Sequence, residues 1–421
     1  MRLRSQVIGT LNVAHLVIRS DTIEPLAEAV AAQPKPSHGW RRTEGFRMAV
    51  FGFLSTYPPT PCGLATFTAS LRAALPDRVA GGVVRVVDAG GGPQPVGVAG
   101  VLAPGSLASR REAARLLNHH DVAMIQHEYG IYGGTDGDDV LAVLAMLSVP
   151  AVVVLHTVLT TPTPHQRFVL NAVVAAAAAV VVMTETARSR LVGGYHVDAR
   201  RIAVIPHGAP DTGAAFVGPD RQRDRLVLTW GLLGPGKGIE WAIDAMALLG
   251  DMVPRPRYIV AGRTHPKVLA RQGERYRHTL RTRADDLGVH DRVQFDPRYL
   301  DPGSLRDLVA RARVVLLPYD SREQITSGVL VEAITARVPV VATRFPHAVE
   351  LLADGAGILV DHQDPASIAT AIRTILTDRA AAAGMATAAD AAARTLGWAS
   401  VADRYRRLAD GLVRPPTSVP A

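Results

Sequence analysis

Residues 314–343 read VVLLPYDSREQITSGVLVEAITARVPVVAT, and the alternation inside them decides the fold. Val314 to Leu317 form an apolar run that ends in a polar loop. Ser327 and Gly328 then open a helix that carries Glu332, and a second apolar run, Val338 to Ala342, follows at once. Strand, loop, helix N-terminus and strand make the βαβ geometry in which unpaired backbone N–H groups face an anion. A carboxylate early in such a helix stands where it can accept hydrogen bonds from a ribose diol. A nucleotide-linked ligand suits the layout.

Outward from this unit the chain keeps alternating strand and helix patterns, the signature of doubly wound sheets. Strands are expected at 48–53, 83–88, 121–126, 151–156, 179–183 and 202–206 in the first half. In the second half they are expected at 226–231, 257–261, 292–295, 313–317, 338–342 and 357–360. Between the halves, GAPDTGAAFVGPDRQRDR (208–225) is a polar linker rich in Gly and Pro. The expectation is an α/β protein of two Rossmann-like domains, 47–213 and 224–395, facing a cleft. A helix over 396–412 crosses back to brace the first domain. Residues 1–46 differ from the rest and include the polar Pro/Gly segment AAQPKPSHGWRRTEG, so they read as an extension, with Met48 as an alternative start. The tail, 413–421, reads as disordered.

A chain of 421 residues has ample length for two cores, and a hydrophobic fraction of 48% fits buried parallel strands. The net charge of +8 favours anionic partners, yet it is scattered arginine without dense basic runs or interleaved aromatics, which argues against nucleic acid. Cys62 is the sole cysteine, so no intrachain disulfide forms and a reducing, cytoplasmic setting is expected. No signal peptide is apparent. The apolar stretch from Phe168 to Met183 is too short to span a bilayer and reads as a helix end followed by a strand.

Only three lysines occur, at 35, 237 and 267, so a lysine inside a glycine cluster stands out. LVLTW (226–230) runs into GLLGPGKGIEWAIDAM, where Gly231 to Lys237 match the phosphate-loop pattern G-x-x-x-x-G-K. Gly238 then stands where a metal-holding hydroxyl belongs, and the glycines do not follow the dinucleotide fingerprint either. Glycines here let backbone approach a phosphate, and Lys237 adds a point charge. After the first strand, TYPPTPCGLATF leads into a helix and sets Gly63 at its start.

His127 and Glu128 end the third strand in MIQHEYGIYGG, and His156 ends the next in VVVLHTVLT. Carboxyl ends of parallel strands are where open α/β sheets bind ligands. Asp136 and Asp138 form a D-x-D pattern, but Asp138 or Asp139 also suits a helix N-cap, and no Cys/His cluster has zinc spacing. No metal ligands are assigned.

Taken together these pieces resemble the GT-B retaining glycosyltransferases of family 4, over roughly residues 48–412. They are most similar to its mannosyltransferase-like branch, through QHEYGIYGG, the GKG loop, THP, SGVLVEA, PVVAT and FPHA. The resemblance implies that Gly63 and Lys237 contact the donor diphosphate from opposite domains. It implies that amides of Gly328, Val329 and Leu330 cap the phosphates, and that Glu332 binds the ribose. His127 would lie by the donor sugar. His127, Lys237 and Gln324 are the catalytic candidates; Glu128, His156 and Glu323 are candidates for sugar or acceptor contacts.

The chain departs from the family pattern in several places. Gln324 replaces the first glutamate of E-x7-E, with Glu323 one position out of register. Leu232 replaces the arginine that accompanies the lysine, a loss that Arg263 would offset, and Arg337 stands where a glycine is common. The implied activity is metal-independent transfer of a hexosyl unit, mannosyl foremost, from a nucleoside-diphosphate sugar to a glycan or lipid-linked acceptor. GDP-mannose is the favoured donor, with a UDP-sugar the alternative, and no cofactor is obligatory. A nucleotide-sugar epimerase, a sugar phosphorylase and a silent nucleotide-sugar binder are the competing readings. Arg110, Arg111 and Arg115 on one helix would supply peripheral contact with the inner face of a membrane, with a solvated basic helix as the alternative.

Overall fold

The computed structural model describes residues 48–87, 95–210 and 225–413. The segment read as an extension, the middle of the linker and all of the tail beyond Val413 lie outside the described residues. The first domain holds seven parallel strands: β1 (Phe51–Ser55), β2 (Ala80–Val86), β3 (Val98–Leu102), β4 (Val122–His127), β5 (Ala151–Leu155), β6 (Ala179–Val182) and β7 (Ile202–Val204). Their order in the sheet is β3-β2-β1-β4-β5-β6-β7. The second domain holds β8 (Leu226–Trp230), β9 (Arg257–Ala261), β10 (Val293–Asp296), β11 (Val314–Leu317), β12 (Val340–Thr343) and β13 (Gly357–Val360). They are ordered β10-β9-β8-β11-β12-β13, so both sheets wind outward from a central pair.

Helices of the first domain are α1 (Gly63–Ala74), α2 (Leu107–Leu117), α3 (Asp139–Leu144), α4 (Pro164–Ala176) and α5 (Glu185–Tyr195). Those of the second are α6 (Ile239–Ala247), α7 (Pro266–Gln272), α8 (Arg275–Asp286), α9 (Pro302–Arg311), α10 (Gly328–Thr335), α11 (Pro346–Leu351), α12 (Pro365–Thr377), α13 (Arg379–Leu396) and α14 (Trp398–Val413). Strands buried on both faces, such as FGFLS in β1 and VVLL in β11, explain why the central strands read as unbroken apolar runs. The edge strand β3, VAGVL, escaped the sequence reading. Only its Leu102 is fully buried, and Gly100 lies directly under the Leu116 side chain of α2, so neither an apolar run nor a clean alternation marks it.

The stretch from Phe168 to Met183 divides into the end of α4 and β6. No helix among the described residues is long and apolar enough to cross a membrane. The final helix, α14, crosses back: Val401, Ala402, Tyr405 and Ala409 are buried in the same cluster as Phe51, Phe53 and Phe67 of the first domain. Asp410 accepts a hydrogen bond from the Ala49 amide at 2.9 Å, and Arg404 donates to the Val204 carbonyl at 2.6 Å. The returning chain passes beside the outgoing one, where Ala209 and Gly397 pair. Arg337 adopts φ +56°, which accounts for the glycine expected there; its guanidinium holds Asp390 at 2.6 Å and the Thr335 carbonyl at 2.8 Å.

Candidate functional site

Each sheet reverses direction at its centre, between β1 and β4 and between β8 and β11. Loops leaving the carboxyl ends of such strands splay apart and leave a crevice. In the first domain these loops carry Gly63 and His127; in the second they carry Lys237 and the segment 318–328. Gly63 is the first residue of α1, exposed, with open space where a side chain would stand. Cys62 caps that helix, its Sγ accepting from the Ala65 amide at 3.4 Å and contacting the Thr56 hydroxyl at 3.0 Å. One turn along, Thr66 meets the Tyr299 hydroxyl of the second domain at 3.5 Å, so this helix end faces the other domain.

Lys237 lies over the Tyr319 ring, 4.2 Å from its centroid. The turn that presents it is tied to the neighbouring loop by the Asp320 amide, which donates to the Gly236 carbonyl at 3.0 Å. His265 is held below its usual pKa by burial and by the charges of Lys267 and Lys237, which places both lysines at one end of the domain. Lys267 in turn reaches the first domain, donating to the Gly130 carbonyl at 2.7 Å. Arg263 uses its carbonyl to accept from the Leu233 amide at 2.9 Å, and no described residue pairs with its guanidinium. Glu332 is pushed up by burial; its Oε2 accepts from the Trp230 indole at 3.1 Å, and its Oε1 makes no hydrogen bond among the described residues.

The three amides expected to cap a phosphate are not equivalent. Ser327 caps α10 and its hydroxyl accepts the Leu330 N–H at 3.3 Å, so that donor is already used. Gly328 and Val329 keep theirs. Gln324 donates through Nε2 to the Thr326 carbonyl at 3.1 Å, which leaves its Oε1 as an acceptor. Glu323 turns away toward the first domain, with Arg190 at 2.9 Å and the Thr160 hydroxyl at 2.7 Å. It is a bridge between domains here, with its carboxylate occupied.

At the carboxyl end of β4 in the first domain His127 is fully buried, and neither ring nitrogen has a hydrogen-bond partner. Burial lowers it to about 4, so it is neutral at neutral pH. Glu128 beside it is raised by burial and accepts from the Thr157 hydroxyl and the backbone of Tyr129 and Gly130. His156 belongs to a packing network: its Nε2 pairs with Gln126 Oε1 at 2.7 Å and its ring stands edge-on to Phe67 at 5.0 Å.

Asp136 and Asp138 straddle His165, at 3.1 and 3.5 Å, and neither Asp138 nor Asp139 caps α3 through its side chain. Asp139 takes Arg110 at 2.5 Å and the Gly105 amide at 2.8 Å instead. Arg110 is neutralised by Asp139 and Arg115 by Glu112 at 2.6 Å, leaving Arg111 as the one exposed cation of the three without an ion pair among the described residues.

Two histidines absent from the sequence-based candidates stand at the start of α10. His347 of FPHA accepts the Ser327 N–H at 2.8 Å on Nδ1, and a Cβ added to Gly328 would lie 3.0 Å from the His207 ring. The signal for His207 was its place in IPHG after the last strand of the first domain; for His347 it was the FPHA motif itself. Both are pushed down chiefly by burial, His207 to about 4 and His347 to about 3, as is His156 to about 3.

These four histidines make stability depend on pH with a definite sign. An unfolded histidine takes a proton near pH 6.5 while the folded ones stay neutral until pH 3–4. Their contribution is therefore complete above pH 6.5 and is lost as pH falls below it, at up to about 1.4 kcal/mol per pH unit for each. The raised Glu128 and Glu332 act in the opposite sense. Urea midpoints are expected to be clearly lower at pH 5 than at pH 7; equal midpoints would show that the rings are not held neutral.

A model of the glycosyl transferases group 1 matches residues 215–392, and a model of Glycosyltransferase Family 4 matches residues 63–212. Each falls on one of the two domains. The chain belongs to the family 4 glycosyltransferases of the GT-B fold. This family 4 chain is 32% identical over 260 residues to a D-inositol 3-phosphate glycosyltransferase of Corynebacterium glutamicum, covering 58% of each chain. It is 31% identical over 241 residues to a GDP-mannose-dependent alpha-(1-6)-phosphatidylinositol monomannoside mannosyltransferase of Mycolicibacterium smegmatis, covering 53% of this chain and 60% of that one. The chain thus spans less than two thirds of the length of these relatives. Anabaena HepE, solved in complex with UDP, superposes with a TM-score of 0.68 at 20% identity, over 86% of this chain and all of HepE, a likeness of fold.

Proposed function

We propose that the protein is a retaining hexosyltransferase that moves a sugar from a nucleoside diphosphate to a glycan or lipid-linked acceptor. The observation that carries this reading is the grouping on the second domain's wall. Lys237 and Arg263 offer cations without acidic partners, Gly328 and Val329 offer free amides, and Glu332 keeps one carboxylate oxygen open. A diphosphate meets the cations and amides, and the ribose diol meets Glu332. His127, buried and neutral on the other wall, has two unused ring nitrogens for sugar hydroxyls. Mannose and GDP are favoured by the likeness to the mycolicibacterial mannosyltransferase, with UDP as the alternative suggested by the fold relative.

The anomeric C–O bond to the diphosphate breaks as the acceptor oxygen bonds the same face of that carbon. The acceptor proton passes to the departing phosphate oxygen. Charge on the leaving group is neutralised by Lys237, Arg263 and the α10 amides, which supplies the electrostatic role without a bound cation. Front-face attack is favoured because Glu128 and Glu323, the carboxylates at that end, are each committed to protein partners.

Thermal melts with GDP-mannose, UDP-glucose and an ADP-sugar test the reading. At a hundredfold excess over its Kd the true donor stabilises by about 2.7 kcal/mol. Transfer or slow hydrolysis of that donor, insensitive to chelator, completes the expectation. Tight binding with neither reaction over a broad acceptor panel would make the protein a silent binder. Interconversion of the sugar without an acceptor would make it an epimerase, and a requirement for inorganic phosphate would make it a phosphorylase.

A further inference from the structure

Helix α5 opens with Thr184 as its cap, whose hydroxyl accepts the Ala187 N–H at 3.1 Å. The next amides along the first turn have no partner within the helix. Glu350, at the end of α11 in the second domain, takes them. Its carboxylate accepts from the Glu185 amide at 2.8 Å, the Thr186 amide at 3.1 Å and the Thr186 hydroxyl at 3.0 Å. A carboxylate is well placed there, since it meets the positive end of the helix dipole.

One turn further, Arg190 of the same helix donates to Glu323 Oε2 at 2.9 Å and to the Val158 carbonyl at 2.9 Å. Both acidic partners lead directly to the donor-sugar end of the crevice. Glu323 adjoins Gln324. Glu350 shares α11 with His347, which accepts the Ser327 N–H at 2.8 Å and donates its own amide to the Gln324 carbonyl at 3.3 Å. Gln324 is therefore held from two sides by one helix of the other domain.

We infer that Arg190 and Glu350 are positioning residues that hold Gln324, the candidate for the transferred sugar, in place against the first domain. The inference rests on the transfer reading above. Lys237, Arg263, Glu332 and the amides of Gly328 and Val329 all lie within the second domain, so its share of nucleotide binding needs no contact between the domains. Moving the sugar uses both walls, and small misplacements of reacting groups are costly. The two ties thus act on turnover and leave nucleotide affinity alone.

The test uses the full chain with Arg190→Met, Glu350→Gln, the double of these two, Arg190→Glu, and the exchanged pair Arg190→Glu with Glu323→Arg. Nucleoside-diphosphate affinity, by calorimetry, is expected to stay within about twofold of wild type in every variant. The kcat for transfer is expected to fall about tenfold in each single variant and about a hundredfold in the double. The exchanged pair should recover most of what Arg190→Glu alone loses. Wild-type kcat in Glu350→Gln and Arg190→Met would overturn the proposal. So would equal losses of kcat and nucleotide affinity, which mark a role in folding only. If wild type binds nucleotide but transfers no sugar, the transfer reading fails by itself. Solution scattering then decides the ties: a larger radius of gyration in the double variant supports them, and an unchanged radius overturns them.

Discussion

Lys237→Ala is expected to lower kcat by about two to three orders of magnitude, the size found when one preorganised donor to a developing anion is removed. In the proposed transfer the leaving diphosphate gains charge as the glycosidic bond breaks, and Lys237 is the lysine assigned to it. Its ammonium rests on the Tyr319 ring at 4.2 Å, a contact that contributes only about 0.5–1 kcal/mol at an accessible site. The variant should therefore fold normally and melt near the wild-type temperature, which separates a loss of chemistry from a loss of structure. Arg263 has no acidic partner and can hold part of the charge, so Arg263→Ala should lose less, and the double variant should lose more than either. Near-normal turnover in Lys237→Ala would remove the lysine from the mechanism.

Gly238→Ala should damage the protein itself. The glycine has φ +63°, where an L side chain costs about 1–2 kcal/mol. An added Cβ would also sit 1.7 Å from the Pro318 carbonyl oxygen, just beyond β11. Relief requires the two central loops to separate. That breaks the Asp320 to Gly236 hydrogen bond of 3.0 Å and the Trp241 indole contacts to Asp320 at 3.1 and 3.2 Å. A loss of more than about 3 kcal/mol is expected, seen as a fall in melting temperature and in nucleotide affinity together. Gly236→Ala is the control. Its φ is +87° but nothing lies within 4 Å of the added atom, so only the conformational cost of about 1 kcal/mol applies. Equal melting of both variants would show that the Pro318 contact carries no weight.

The same contact explains a failure visible in the sequence. Gly231 to Lys237 match a phosphate loop, but the hydroxyl residue that should follow has no room, because Gly238 is pressed against Pro318. Local pattern announced a phosphate loop; packing between β8 and β11 forbids its metal-holding side chain.

Other parts of the site divide along the same line. Glycine turns, strand ends and the Ser327 cap are written in adjacent residues, so Lys237, Gly63, Glu332 and His127 could be picked out by position. Glu323 and Gln324 could not be told apart that way. Which of them faces the crevice depends on Arg190 and Thr160, more than a hundred residues earlier in the chain. The Leu330 amide looked free until Ser327 was seen to accept it. His347 and His207 acquire their places from Ser327 and Gly328, and Arg110 of α2 finds its partner, Asp139, on another helix.

Sequence alone determined the two doubly wound sheets and the loops that end their central strands, because hydrophobic period and glycine conformation act between near neighbours. Tertiary structure alone decided which carboxylates and amides remain open to a ligand. A charged or polar group is available only if no distant partner has taken it, and distant partners are set by how the sheets and helices pack.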